Sequence, residues 1–260
     1  MEVIILPTAN DVCTRGAGIV DRLARDKTNA VIGLPTGETP KRMYQEIVRK
    51  HRQEQLDMSK VTTFNLDEFT GLPEGHAKSF KRYMQEQLFA HVPVKSANLP
   101  DGNAKDLSAE CDRYEQAIRD AGGMDLVLLG IGEDGHIGFN EPSSSLASRT
   151  RLKTLTRQTL ARSRFDARDR LPVHAITMGI ATILDAKRCV LMAFGRSKAR
   201  AVSGMVEGAL SAMVPASALQ MHPRATVLLD EEAAAELSLK DYYREVYRHK
   251  PDWQKARDGI

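Results

Sequence analysis

The densest concentration of residues able to move protons lies between Leu128 and Ser145, which read LLGIGEDGHIGFNEPSSS. An apolar run containing Met124, Leu126, Val127, Leu128 and Leu129 meets glycines at 130 and 132, and then Glu133, Asp134, His136 and Glu141. A histidine flanked by carboxylates can be held in one tautomer while it takes and returns a proton, so the string suits acid–base chemistry with no built-in nucleophile. The competing reading is a loop whose acids and histidine are merely solvated. A second cluster, FNLDEFTG at 64–71, sets Asp67 and Glu68 directly after the run VTTF. A carboxyl at the carboxyl edge of a strand, partly screened from water, has its pKa raised and can serve as a base. A turn-capping aspartate is the alternative there, and Glu68 reads as a structural acid.

Anion binding has two sequence signals. GLPTGETP at 33–40 lies between a candidate strand and a helix, so Thr36, Gly37 and Thr39 can present backbone N–H groups and the helix dipole to a phosphate. The same pattern also fits an ordinary strand-to-helix turn, because it carries neither a Walker lysine nor GxGxxG. Lys198 in GRSK follows the run CVLMAF, and Arg164 lies in SRF; arginine grips a phosphate through two parallel bonds and lysine adds a compact charge. Among 37 basic residues most are surface charges, and only Lys198 is set apart by its position after a strand.

These stations need a scaffold that delivers them to one place. Short apolar runs at Val3–Leu6, Ala30–Leu34, Val61–Leu66, Met124–Leu129, Cys189–Phe194 and Thr226–Leu229 alternate with helical patterns. That alternation predicts α/β architecture with a mostly parallel sheet covered on both faces, and a ligand crevice beyond the strands' carboxyl ends. Thr8 with Asp11 predicts the start of the first helix, Thr39 with Pro40 the second, and Ser79 the third. Tyr114, Ala117, Ile118 and Ala121 make the apolar stripe of a fourth, Leu237–Tyr247 reads as a late helix, and Lys250–Ile260 as a frayed tail. No apolar period organises Arg149–Arg170, a stretch read as a possible mobile flap.

The chain of 260 residues is read as a single domain, 1–260. Its 37 basic and 34 acidic residues are interspersed, without the basic blocks of a nucleic-acid or membrane surface. Cys13, Cys111 and Cys189 are isolated, which suggests neither a disulfide framework nor a zinc site. The N-terminus MEVIILPTAND lacks the pattern of a signal peptide and no segment is long enough to span a bilayer, so a cytoplasmic protein is expected.

GLPTGxTP at 33–40, FNLDEFTGLP at 64–73, GIGEDGHIGFNEPSSSLASRTRLKTLT at 130–156, SRF at 163–165 and GRSKA at 195–199, in this order and spacing, resemble the glucosamine-6-phosphate deaminase family. The resemblance implies a three-layer, Rossmann-like fold and a conversion of glucosamine 6-phosphate to fructose 6-phosphate and ammonia without a metal or organic cofactor. It assigns Asp67 the removal of the C2 proton and Asp134, His136 and Glu141 the opening of the ring. Thr36, Gly37, Thr39, Arg164 and Lys198 fall where the family binds the sugar phosphate. Members are commonly homo-oligomers, often hexamers, and some are activated by N-acetylglucosamine 6-phosphate. Ser144, Arg151 and Lys153, with the Met1 amino group of a neighbour, match that second site. Two departures stand out: Glu38 in the phosphate loop, where Arg42 four residues on is a candidate partner, and Phe80 where several members have tyrosine. The competing functions are a 6-phosphogluconolactonase-like hydrolase, which shares a GxGxDGH motif but has no use for an enolising base at Asp67, and a non-catalytic sugar-phosphate sensor.

Overall fold

Each of the six apolar runs is buried on both sides, and the strands they form make a parallel sheet between two helical layers. The computed structural model describes residues 1–156, 159–160, 165 and 174–258. The strands are β1 (Glu2–Leu6), β2 (Val31–Leu34), β3 (Thr62–Asn65), β4 (Asp67–Phe69), β5 (Ser96–Asn98), β6 (Leu126–Leu129), β7 (Arg151–Thr154), β8 (His174–Thr177), β9 (Cys189–Ala193) and β10 (Ala225–Asp230). Seven of them form the main sheet in the order β1-β10-β9-β6-β2-β3-β5, every neighbouring pair parallel. A second, antiparallel sheet has the order β4-β8-β7.

Alternate residues of each main-sheet strand serve opposite faces. Val127 and Leu129 join one core with Tyr114, Ile118, Val202 and Met205, while Leu126 and Leu128 join another with Val12, Val20, Met43 and Ile47. Helices α1 (Ala9–Asp26) and α2 (Glu38–Glu54) therefore cover one face, and α4 (Leu107–Asp120) and α6 (Ala199–Val206) the other, with α3 (Phe80–Met84) and α5 (Ile180–Leu184) completing the layers. Beneath the small sheet lies a third cluster of Phe69, Leu72, Phe139, Leu155 and Ala175.

The helix starts follow their local chemistry. Thr8 accepts from the Asp11 N–H and Asp11 accepts from the Thr8 N–H, a closed capping box on α1. Ser79 caps α3 by accepting from the Arg82 N–H at 3.2 Å. Helix α2 begins earlier than Thr39 and Pro40 predict: Gly37 is its N-cap and Glu38 its first residue. Pro40 still falls in the first turn, where a missing N–H costs nothing. The tail is more ordered than expected, with α7 (Lys240–Arg248) followed by α8 (Asp252–Asp258). The stretch read as a flap opens with strand β7, whose pairing with β8 supplies the order that its apolar pattern did not announce. Among the described residues no helix is long and apolar enough to cross a membrane.

Candidate active site

The order of the main sheet reverses between β2 and β6: β3 and β5 lie on one side, β9, β10 and β1 on the other. The loops leaving adjacent strands at such a point diverge and open a crevice. Here the crevice is a cavity of about 690 Å³ lined by Thr36, Gly37, Glu38 and Thr39 after β2, Asp67 after β3, Gly132, Glu133 and His136 after β6, and Lys198 after β9. The proposed base and the proposed ring-opening histidine, 69 positions apart, thus face one space.

One end of the cavity is built from backbone. Gly37 has φ 113° and ψ −172°, a region that residues with a β-carbon avoid, and it turns the chain into α2. Tyr44, fully buried on α2, donates its hydroxyl proton to the Pro35 carbonyl at 2.5 Å; Tyr83 donates to the Gly37 carbonyl at 2.6 Å. Glu38 is exposed at this rim. Arg42, its candidate partner, lies instead with its guanidinium 5.6 Å from the Phe194 ring centroid, so the expected pair is not formed. Lys198 closes a 3₁₀ turn that begins at Gly195, whose N–H donates to Asp230 of β10; the same carboxylate accepts from the Ala233 N–H. That double acceptance fixes the turn carrying the ammonium.

The other end holds the titratable groups. Asp134 Oδ1 lies 2.6 Å from His136 Nδ1 and also accepts from the His136 N–H at 3.3 Å. A carboxylate can only accept, so Nδ1 carries the proton and Nε2 is left as the nitrogen for a ligand. The loop is tight: a β-carbon on Gly132 would stand 2.2 Å from the imidazole ring. Glu141 is not the second flank of the histidine; it accepts a hydrogen bond from Thr159. The loop is anchored by Asn140, fully buried, which donates to the Ile137 and Met178 carbonyls at 2.9 and 2.8 Å, and by Phe139 N–H donating to Thr177 Oγ1.

Asp67 sits on β4 in register with Thr177. Only 6% of it is exposed, and its Oδ1 has no hydrogen-bond partner. Burial, with the neighbouring Glu68 charge adding to it, pushes its carboxyl up to about 8. A β-carbon built on Gly138 would lie 3.4 Å from Asp67 Oδ2, which shows how closely the histidine loop approaches this acid. Glu68 is just as buried but accepts from the N–H groups of Phe69, Phe80 and Lys81, and so ties β4 to the start of α3. The wall beside Asp67 is aromatic, with Phe69 and Phe80 rings 4.8 Å apart and Phe139 5.4 Å from Phe69.

Of the second-site residues, Ser144 is buried with its Oγ unpartnered, and Arg151 donates to Asn140 Oδ1 at 2.9 Å. Arg151 and Lys153 share one face of β7. Met1 lies elsewhere, at the amino-terminal edge of the main sheet beside Arg188 and Arg224. Arg164 falls outside the described residues. Sequence reasoning did not reach Tyr83, Tyr44 or Thr159, nor Lys78, which also lines the cavity. Tyr83 meets Gly37 across 46 positions, and no spacing rule connects a helical tyrosine with a distant loop carbonyl. Among the described residues no group of three or more His, Cys, Asp or Glu is placed to hold a metal ion.

The chain matches, over residues 7–228, the family described as glucosamine-6-phosphate isomerases/6-phosphogluconolactonase. It is 50% identical over 259 residues to a glucosamine-6-phosphate deaminase of Mycolicibacterium smegmatis, a match spanning 98% of this chain and 99% of that one. A Hahella chejuensis protein of the same name is 50% identical over 248 residues, 94% of this chain and 95% of its own. Among solved structures, one described as a monomeric glucosamine-6-phosphate deaminase superposes with a TM-score of 0.86 at 43% identity, covering 91% of this chain and all of that one. A 6-phosphogluconolactonase from Trypanosoma cruzi superposes with a TM-score of 0.73 at 21% identity, covering 91% of this chain and 97% of its own, a likeness of fold alone.

Proposed function

The chain belongs to the glucosamine-6-phosphate isomerase/6-phosphogluconolactonase family, and we propose that within it this protein converts glucosamine 6-phosphate and water to fructose 6-phosphate and ammonia. The observation that carries the reading is the buried, incompletely hydrogen-bonded Asp67 opening into the same cavity as His136, whose Nδ1 is held by Asp134.

The substrate is mostly a closed ring, whose C2–H is not acidic because no carbonyl adjoins it. His136, held by Asp134, takes the anomeric hydroxyl proton and returns one to the ring oxygen; the aldehyde so formed acidifies C2–H. Asp67 removes that proton and redelivers it at C1 through an enolamine, and water adds to the resulting C2 imine to expel ammonia. A carboxylate whose ionised form is poorly solvated is a stronger base than one in water, so the apolar wall serves the step directly. Thr36, Gly37, Thr39 and Lys198, with Arg164, hold the phosphate and give the proton transfers their geometry. Glu141, joined to Thr159, acts with the ring-opening pair by shaping the loop. Lactone hydrolysis needs no carbon acid to be deprotonated and leaves Asp67 without a task.

Ser144, Arg151 and Lys153 form the proposed subsite for an N-acetylated sugar phosphate; because Met1 lines a separate hollow beside Arg188 and Arg224, its amino group completes that subsite only from a second copy of the chain. The protein acts in the cytoplasm, in keeping with three buried free thiols. The deciding experiment incubates the protein with glucosamine 6-phosphate, its galacto epimer and 6-phosphogluconolactone, and assays ammonia and acid release with and without N-acetylglucosamine 6-phosphate. Ammonia from the first substrate is expected; acid from the lactone with no ammonia from either hexosamine overturns the reading.

A further inference from the structure

We propose that Tyr83, backed by Tyr44, is a positioning residue that sets the phosphate loop: its hydroxyl holds the Gly37 carbonyl away from the anion and thereby aims the Glu38 N–H at it. The inference rests on the deaminase reading only for its substrate; the clamp itself concerns any phosphate monoester.

A trans peptide unit is planar, and its C=O and N–H point in opposite directions. Fixing the Pro35 carbonyl therefore fixes the Thr36 N–H, and fixing the Gly37 carbonyl fixes the Glu38 N–H. The two carbonyls are held by two tyrosine hydroxyls, at 2.5 and 2.6 Å. The two rings meet edge to face, with centroids 6.4 Å apart and planes at 65°, so each steadies the other. Tyr83 also lines the cavity. The N–H groups of Thr36, Gly37, Glu38 and Thr39 have no acceptor among the described residues, and Glu38 and Thr39 open α2, where the first N–H groups have no intrahelical partner.

The loop needs such a clamp because its own conformation does not enforce one. Gly37 adopts a φ of 113° and lacks a β-carbon, so the peptide that follows it can rotate at little cost. Rotated, that peptide would present a carbonyl oxygen to the phosphate, beside the exposed Glu38 carboxylate. Tyr83 remains a protonated donor throughout the working range, since burial and the Glu38 charge raise its phenol well above the ordinary value.

The test compares wild type with Tyr83→Phe, which keeps the ring and removes only the hydroxyl. The expected result is a rise of about tenfold in KM for glucosamine 6-phosphate, and the same rise in the Kd for inorganic phosphate measured calorimetrically, with kcat within about twofold. With phosphate bound, amide exchange at Glu38 should be slowed in the wild type and slowed less in the variant. Unchanged phosphate affinity overturns the clamp, as does a loss of kcat and thermal stability while the phosphate Kd stays put. If the wild type binds phosphate but releases no ammonia, the deaminase reading fails while the comparison of phosphate affinities still decides the role of Tyr83.

Discussion

The two faces of β4 carry neighbouring carboxyls that are equally hidden from water, yet they are partnered in opposite ways. On the side toward α3, Glu68 accepts three backbone N–H groups and holds two elements together. On the side toward the cavity, Asp67 keeps one oxygen without a partner and is pushed up to about 8. Burial raises both, but the N–H donors around Glu68 oppose the rise and nothing comparable does so at Asp67. Hydrogen-bond supply, more than depth, therefore separates a carboxyl tied into the backbone from one with raised proton affinity, and the alternation of the strand is what sends adjacent side chains to such different surroundings.

Substitutions sharpen that contrast. Asp67→Asn removes the base and should lower kcat by at least about a thousandfold, within the range general bases contribute, while phosphate binding stays close to wild type; measurable turnover near the normal rate removes Asp67 from the chemistry. The same variant should be more thermostable than wild type at pH 8. A carboxyl at 3.8 in the unfolded chain and about 8 in the fold binds its proton more tightly when folded, so it weakens the folded state progressively as pH rises through that window, by about 1.4 kcal/mol per pH unit at most. A Tm difference that does not grow between pH 5 and pH 8 contradicts the assignment.

In Glu68→Gln an amide replaces an acceptor that serves three donors, and the expected loss is about 1–3 kcal/mol of stability, read as a fall in Tm of about 2–4 °C per kcal/mol. Because the Glu68 charge is the second cause of the rise at Asp67, the acidic limb of kcat/KM should also move to lower pH. For wild type that limb should climb about tenfold per pH unit and level near pH 8; a plateau already reached at pH 6 means the working carboxyl is less perturbed. The smallest effect belongs to the opposite end of the cavity. Glu38→Gln should lower KM by about threefold by removing an exposed charge from the phosphate rim, with kcat unchanged. An unaltered KM places that carboxylate out of the phosphate's reach.

The amino-acid order was sufficient for the repeating plan. Six strands of the main sheet, the cap at Thr8, the cap at Ser79 and the clustering of catalytic types after strand ends all follow from local patterns, because apolar period and side-chain capping act over a few residues. Asp67, His136 and Lys198 were legible for the same reason, as polar residues placed just beyond apolar runs. The short strands at 67–69, 96–98, 151–154 and 174–177 were not, since each is completed by pairing with distant chain and carries little pattern of its own. Glu141's partner, Arg42's position on Phe194 and the two tyrosine clamps were equally hidden.

What the chain alone determined is which residue types stand at the mouths of its strands. Which of two adjacent acids is left short of hydrogen-bond donors, and which loop carbonyls are held by tyrosine hydroxyls, was settled only in three dimensions. The proton affinity of a carboxyl and the direction of a peptide depend on atoms supplied by segments tens of positions away.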